Sequence, residues 1–176
     1  LERGAEVVAR WDNIVDTTLN TKIGIGRVEF SLIEHLMSAL SGLEIDNVII
    51  TLCGGEVPIA DGSSLEWIEL FDMAGIITQD VPRKYIKVLK HISVNMDDEV
   101  VDGCIIHDDR YASLYPSWDR SFNITTHFDG VGPQRLNIKL DEKYYRENTA
   151  FCRTFGYEDD VDPVSYTHLR AHETKA

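Results

Sequence analysis

The sequence predicts an α+β protein in two halves. Three observations carry this reading. Apolar residues recur at helical spacing in two stretches of the first half and alternate along two stretches of the second. Val81-Pro82-Arg83 lies between the two textures and reads as a linker. The chain has 176 residues, 43% of them hydrophobic, which is enough apolar material for one core or two small ones. The predicted division is residues 1–80, residues 81–161 and a tail, 162–176, treated separately below.

Taken in order, Glu6-Val-Val-Ala9 reads as a strand. Ser31 and Glu34 have the spacing of a capping box, in which a serine and a glutamate reciprocally satisfy the free N–H groups at a helix start. Leu32, Ile33, Leu36, Met37, Leu40 and Leu43 then fall on one face of a helix that Gly42 can end. Asp46-Asn47 turns the chain into Val48-Ile-Ile-Thr-Leu52, a β-branched run expected to be a buried strand, which Gly54-Gly55 breaks. Pro58 restricts the following segment to an edge or bulge, and Asp61-Gly62 signals a tight turn. Ser63 and Glu66 make a second capping box before Leu65, Ile68 and Phe71, the apolar face of a second helix that Gly75 closes. Tyr85–Leu89 is expected to begin a sheet, to which Asn123–Phe128 and Arg135–Leu140 add alternating strands. Asp141 caps a short polar helix through about Asn148, and Phe151–Gly156 returns as an extended segment.

Charge and composition exclude several functions. A net charge of −13 argues against nucleic acid and against anionic membrane surfaces, because phosphate binding needs clustered Lys and Arg. No apolar run approaches the ~20 residues of a membrane span. LERGAEVVARWDN has charges where a signal peptide would be apolar. Cys53, Cys104 and Cys152 are odd in number and without C-x-x-C spacing, so they read as reduced thiols in a cytoplasmic protein. The chain starts without Met and in mid-pattern, and reads as a piece of a longer protein.

The stretch SLIEHLMSAL puts Glu34 and His35 on the helix face opposite the leucines. Two readings compete. In one, Glu34 caps the helix and favours its positive end, and His35 is a surface residue. In the other, His35 is a metal ligand and Glu34 a general base beside it. Neutral imidazole binds zinc, and a neighbouring carboxylate can take the proton of a metal-bound water.

Further motifs bear on the choice. Asp16-Thr-Thr-Leu19, Ile33-Glu-His-Leu36 with Ala39-Leu40, Gly42-Leu-Glu-Ile-Asp-Asn47, Glu56-Val-Pro-Ile-Ala-Asp-Gly-Ser63 and Arg153-Thr-Phe-Gly156 form an ordered series over residues 6–161. The series resembles the UDP-3-O-acyl-N-acetylglucosamine deacetylase family, the zinc amidases of lipid A synthesis. The resemblance implies two similar domains, each a layer of helices on a sheet, facing across a cleft. It implies hydrolysis of the N-acetyl group of a UDP-sugar carrying an acyl chain, by a protein that is monomeric at full length. It implies Zn2+ as cofactor, His35 as one of three zinc ligands and Glu34 as general base. Thr154 would help hold the oxyanion, often the largest catalytic contribution in such reactions. Leu19, Phe155 and Asp160 would lie near the substrate. Asp46, Asn47, Asp61 and Gly62 would be structural.

The chain departs from that family in several places. The Gly-rich segment with G-L-H-x-G that opens the family, the H-K-x-x-D motif with the other two zinc ligands and a later His acting as general acid do not occur in it. The first domain is therefore expected to lack its N-terminal strands and the second to be incomplete, the chain alone being inactive. A non-catalytic α+β interaction module and a part of a deacetylase–dehydratase fusion are the alternatives. His168 and His172 have the i, i+4 spacing of a ligand pair, but from Pro163 onward the tail resembles translated sequencing-adapter sequence and is set aside. His91, His107 and His127 lack any partner motif and read as surface or core residues. Glu158-Asp-Asp160 reads as a solvated loop, above which Asp160 rises only by following Thr-Phe-Gly.

Overall fold

The computed structural model describes residues 4–96, 99–101, 104–106, 110–128 and 130–156, and shows an α+β fold. Two units are distinguished. One joins the chain up to Ile77 with the chain from Glu142 on, and the other is Thr78–Asp141.

The first unit opens with a 3-10 turn, Trp11–Asn13, and a three-stranded antiparallel meander: β1 (Ile14–Asp16), β2 (Lys22–Ile25) and β3 (Val28–Phe30). Ile25 pairs with Val28, so Gly26-Arg27 alone reverses the chain, with Gly26 at φ +65°. Two-residue hairpin loops require such a positive φ, which glycine adopts without steric cost. The sequence reading missed this hairpin, although Ile23, Ile25, Val28 and Phe30 alternate around the turn. The strand expected at Glu6–Ala9 belongs to no ladder among the described residues. Val7 and Val8 are adjacent, so they would point to opposite faces of a strand and could not bury one face together.

Helix α1 (Glu34–Gly42) buries Leu36, Ala39, Leu40 and Gly42. Leu36 and Leu40 form the core with Val57, and Ile50, Leu52, Trp67 and Phe71 pack around it. The predicted capping box is not formed. The N–H of Ser31 donates to the Gly55 carbonyl at 3.0 Å, and its carbonyl accepts from the N–H of Val57 at 3.0 Å. These bonds hold Ser31 in a parallel bridge with Glu56; Leu32 then turns through φ +59° and the helix begins at Glu34. The predicted buried strand at 48–52 also differs. Ile50 and Leu52 reach the core while Ile49 is 93% exposed, and the run joins no ladder among the described residues.

Helix α2 (Leu65–Ala74) stops at Gly75, where φ is +82°. Its capping differs from the Ser63–Glu66 box as well. Ser64 is the capping residue but makes no side-chain cap bond, and the Ser63 hydroxyl instead accepts the N–H of Leu65 at 3.1 Å.

The sequence reading assigned 142–156 to the second half; the structure packs them on the first unit. Helix α3 (Glu142–Tyr144) runs into a π turn, Tyr145–Thr149. Tyr145 is 2% exposed, and its hydroxyl bonds with that of Ser38 on α1 at 2.8 Å. Arg146 clasps Asp72 on α2 with bonds of 2.8 and 2.9 Å. Tyr145 and Ala150 are both buried; the Tyr145 side chain is covered on α1, and the Ala150 carbonyl accepts the Ser64 N–H.

Among the described residues the second unit contains three antiparallel pairs: β4 (Ile92–Asn95) with β7 (Tyr111–Leu114), β5 (Glu99–Val101) with β6 (Cys104–Ile106), and β8 (Ser121–Phe128) with β9 (Gly132–Lys139). β8 and β9 fall where alternation predicts them. Tyr85–Leu89 does not begin the sheet; Ile86 is 98% exposed and the first strand starts at Ile92. Among the described residues, Ile138 is the one buried apolar side chain of this unit.

Gly42 lies against the Tyr145 ring, and a Cβ there would overlap it. Gly42→Ala should therefore lower stability by about 1–3 kcal/mol, the usual cost of overpacking, despite alanine's better helix propensity. Thermal unfolding of the variant checks this; an unchanged or raised midpoint would mean that the ring yields freely.

Candidate active site

Glu34 is the first residue of α1, and its carboxylate accepts the N–H of Thr21. The capping role expected of Glu34 is thus replaced by a bond to a loop between β1 and β2. The same loop is fastened by the side-chain oxygen of Asn20, which accepts the N–H of Leu32 at 3.4 Å, and by Asp16, whose carboxylate accepts the N–H of Thr18 at 3.0 Å. Leu19 sits between these ties with φ +63° and a side chain 90% exposed. A leucine in the left-handed region is strained and persists only where its neighbours hold it. The structure therefore brings the loop of Leu19 to Glu34.

His35 is half-buried, and its main-chain carbonyl accepts the Ser64 hydroxyl at 3.1 Å. Ser64 belongs to the turn Asp61-Gly62-Ser63-Ser64, which also holds the segment carrying Thr154. The N–H of Ser64 donates to the Ala150 carbonyl at 2.9 Å, and the N–H of Thr154 to the Gly62 carbonyl at 2.9 Å. One Asp61 oxygen accepts the N–H and hydroxyl of Ser63 at 3.0 and 2.6 Å, and the other accepts from Arg153 at 3.0 Å. Gly62 has φ +79°, and the Thr154 methyl is 3.6 Å from where a Cβ would stand. His35 and Thr154 are thus bound to Ser64 and Gly62 of one four-residue turn. Sequence reasoning marked Asp61 and Gly62 as structural but missed Thr21, Ser64 and Arg153, whose contacts are made at long range.

Phe155 follows Thr154 and is 60% exposed. Asp160, His107, His168 and His172 lie outside the described residues. His91 stacks on Tyr115, with ring centroids 4.4 Å apart. An open, largely apolar cavity of about 410 Å³ lies between residues 50–58 and Trp67 and includes none of the candidate residues. Among the described residues no three His, Cys, Asp or Glu side chains gather. His35 offers a single imidazole, whereas a catalytic zinc takes three protein ligands and a water. The described residues by themselves do not fit a complete zinc site.

Residues 1–173 match the family model described as UDP-3-O-acyl N-acetylglycosamine deacetylase. The chain belongs to this family. The match runs past Val161 into the tail, which lies outside the described residues. Three relatives carry the name UDP-3-O-acyl-N-acetylglucosamine deacetylase. One from Nitratiruptor sp. is 39% identical over 151 residues, 85% of this chain and 47% of the relative. One from Campylobacter jejuni strain RM1221 is 37% identical over 160 residues, 90% of this chain and 51% of the relative. One from Phenylobacterium zucineum is 36% identical over 154 residues, 86% of this chain and 49% of the relative. The chain spans about half the length of these relatives. No helix among the described residues is long and apolar enough to cross a membrane.

The Ser63 hydroxyl, first, holds the Asp61 carboxyl below its usual range; burial opposes it, and the Ser63 N–H and Arg153 add to the lowering. A depressed carboxylate stabilises the fold fully above its unfolded pKa, about 3.9, and loses that contribution as pH falls through its lower folded value. The unfolding midpoint should accordingly drop on acidification below about pH 4, and Asp61→Asn should flatten the drop. An unchanged acid limb in Asp61→Asn would assign it to other carboxylates.

Proposed function

We propose that this chain is part of a zinc-dependent deacetylase that hydrolyses the N-acetyl group of UDP-3-O-acyl-N-acetylglucosamine in lipid A biosynthesis, in the cytoplasm. The observation that carries the reading is the pairing of a Glu-His helix start with a Thr-Phe-Gly segment on one turn, in a member of this family. Glu34 takes the proton of the water that attacks the amide carbonyl. Its carboxylate is exposed yet oriented by the Thr21 N–H, which suits a base that must reach a substrate. The Thr154 hydroxyl meets the oxygen on which charge develops, and a donor fixed in advance stabilises that charge without reorganisation. Leu19, Phe155 and Asp160 contact the substrate; the exposure of Leu19 and Phe155 supports a role for their apolar surface there. His35 is one zinc ligand, and the other two come from residues outside this chain, so the chain alone is inactive. The full-length protein acts as a monomer.

In the full-length protein, Glu34→Gln should lower kcat by ~10²–10⁴-fold, the usual loss for a general base, while zinc content stays constant. Turnover and metal content measured on the same sample test this. Near-normal turnover would leave Glu34 only its bond to Thr21.

The chain alone should bind zinc weakly, with little change on His35→Ala, because His35 is a single imidazole and tight zinc sites take three or four protein ligands. Calorimetric titration of the chain, and of a version ending at Asp162, checks this. Submicromolar binding that needs both His35 and the tail would make His168 and His172 ligands.

A further inference from the structure

The turn Asp61-Gly62-Ser63-Ser64 does more than reverse the chain ahead of α2. Three of its groups grip the segment from Ala150 to Thr154: the Ser64 N–H on the Ala150 carbonyl, the Asp61 carboxylate on Arg153 and the Gly62 carbonyl on the Thr154 N–H. A fourth, the Ser64 hydroxyl, grips the carbonyl of His35. One bond to the Thr154 N–H would leave that residue free to swing about it. The Arg153 contact one residue earlier removes that freedom.

The partition of Asp61's oxygens makes this contact directional. One oxygen is occupied by the N–H and hydroxyl of Ser63, so the carboxylate is already aimed before Arg153 meets the other. The Arg153 side chain is 67% exposed and that of Asp61 27%. Ion pairs with so much exposure add little to stability. The consequence of this one is therefore geometric.

We propose that Asp61 is a positioning residue: by holding Arg153 it sets where the Thr154 side chain stands relative to the start of α1 at Glu34 and His35. The inference rests on the catalytic reading of Glu34 and Thr154. A displacement of about 1 Å at a reacting group can cost ~10²-fold in rate, so even a small swing of Thr154 matters.

The test uses the full-length protein with Asp61→Asn, Arg153→Gln and the double variant. Each single change should lower kcat by about 10- to 100-fold, leave KM near its parent value and speed amide exchange at Thr154; the thermal midpoint should stay near the parent value in Arg153→Gln and fall in Asp61→Asn, which also loses the ionised carboxylate's contribution. The double variant should be no worse than either single one, because all three remove the same contact. Unchanged kcat in Arg153→Gln, or losses that multiply in the double variant, would overturn the proposal. If Asp61→Asn fails to fold, Arg153→Gln decides, since its side chain is largely exposed. Should the parent protein show no deacetylation, or Glu34→Gln retain it, the catalytic reading fails; Thr154 exchange then still shows whether Asp61 holds the segment, and unaltered exchange would overturn that too.

Discussion

The first unit depends on the Asp61 carboxylate. It organises Ser63 with one oxygen and Arg153 with the other, and the turn so formed bonds to α1, heads α2 and holds the returning segment. Three parts of the chain remote in sequence therefore share one short support. Gly62 makes this feasible, because its positive φ, which glycine adopts without steric cost, brings its carbonyl round to the Thr154 N–H. Directional hydrogen bonds suit such a task better than apolar contacts, which stabilise a packing without setting a register.

The orientation of α1 follows from a second constraint. Ser31 is held on both sides, by Gly55 and Val57, so the helix cannot begin where a local capping pattern would start it. Val57, pinned by that bridge, then lies at the centre of the core with Leu36 and Leu40. Burial of these leucines directs the opposite face, with Glu34, outward. The carboxylate finds a donor at Thr21 instead of its own helix end. Local propensity loses here to long-range bonding, as expected when a helix start has a stronger partner than its own free N–H groups.

What was legible in the sequence was periodic. Both main helices, the β8–β9 pair and the α+β class follow from spacing of apolar residues. What was illegible depended on partners. Val48–Leu52 has the composition of a buried strand, yet strand identity requires a neighbour to complete the ladder, and composition carries no information about one. Tyr85–Leu89 fails for the same reason. The site divides along the same line. Glu34, His35 and Thr154 could be named from motifs, whereas Ser64, Arg153 and Thr21 act through bonds to residues far along the chain. Motif reading found the residues expected to do chemistry and missed those that aim them.

The return of Glu142–Gly156 onto the first unit alters what counts as a structural whole. Tyr145 fills the space that Gly42 leaves open, and no other residue at 42 would admit the ring without a shift. The Tyr145 hydroxyl meets Ser38 one turn earlier on α1, so both the ring and its hydroxyl rest on that helix. A glycine near the end of α1 and a tyrosine more than half the chain away are thus a single packing device. A boundary drawn at residue 80 from the change in texture would cut through it. The core of the first unit is closed by residues that the linear order places after the entire second unit, and the segment with Thr154 enters the candidate site as a continuation of that closure.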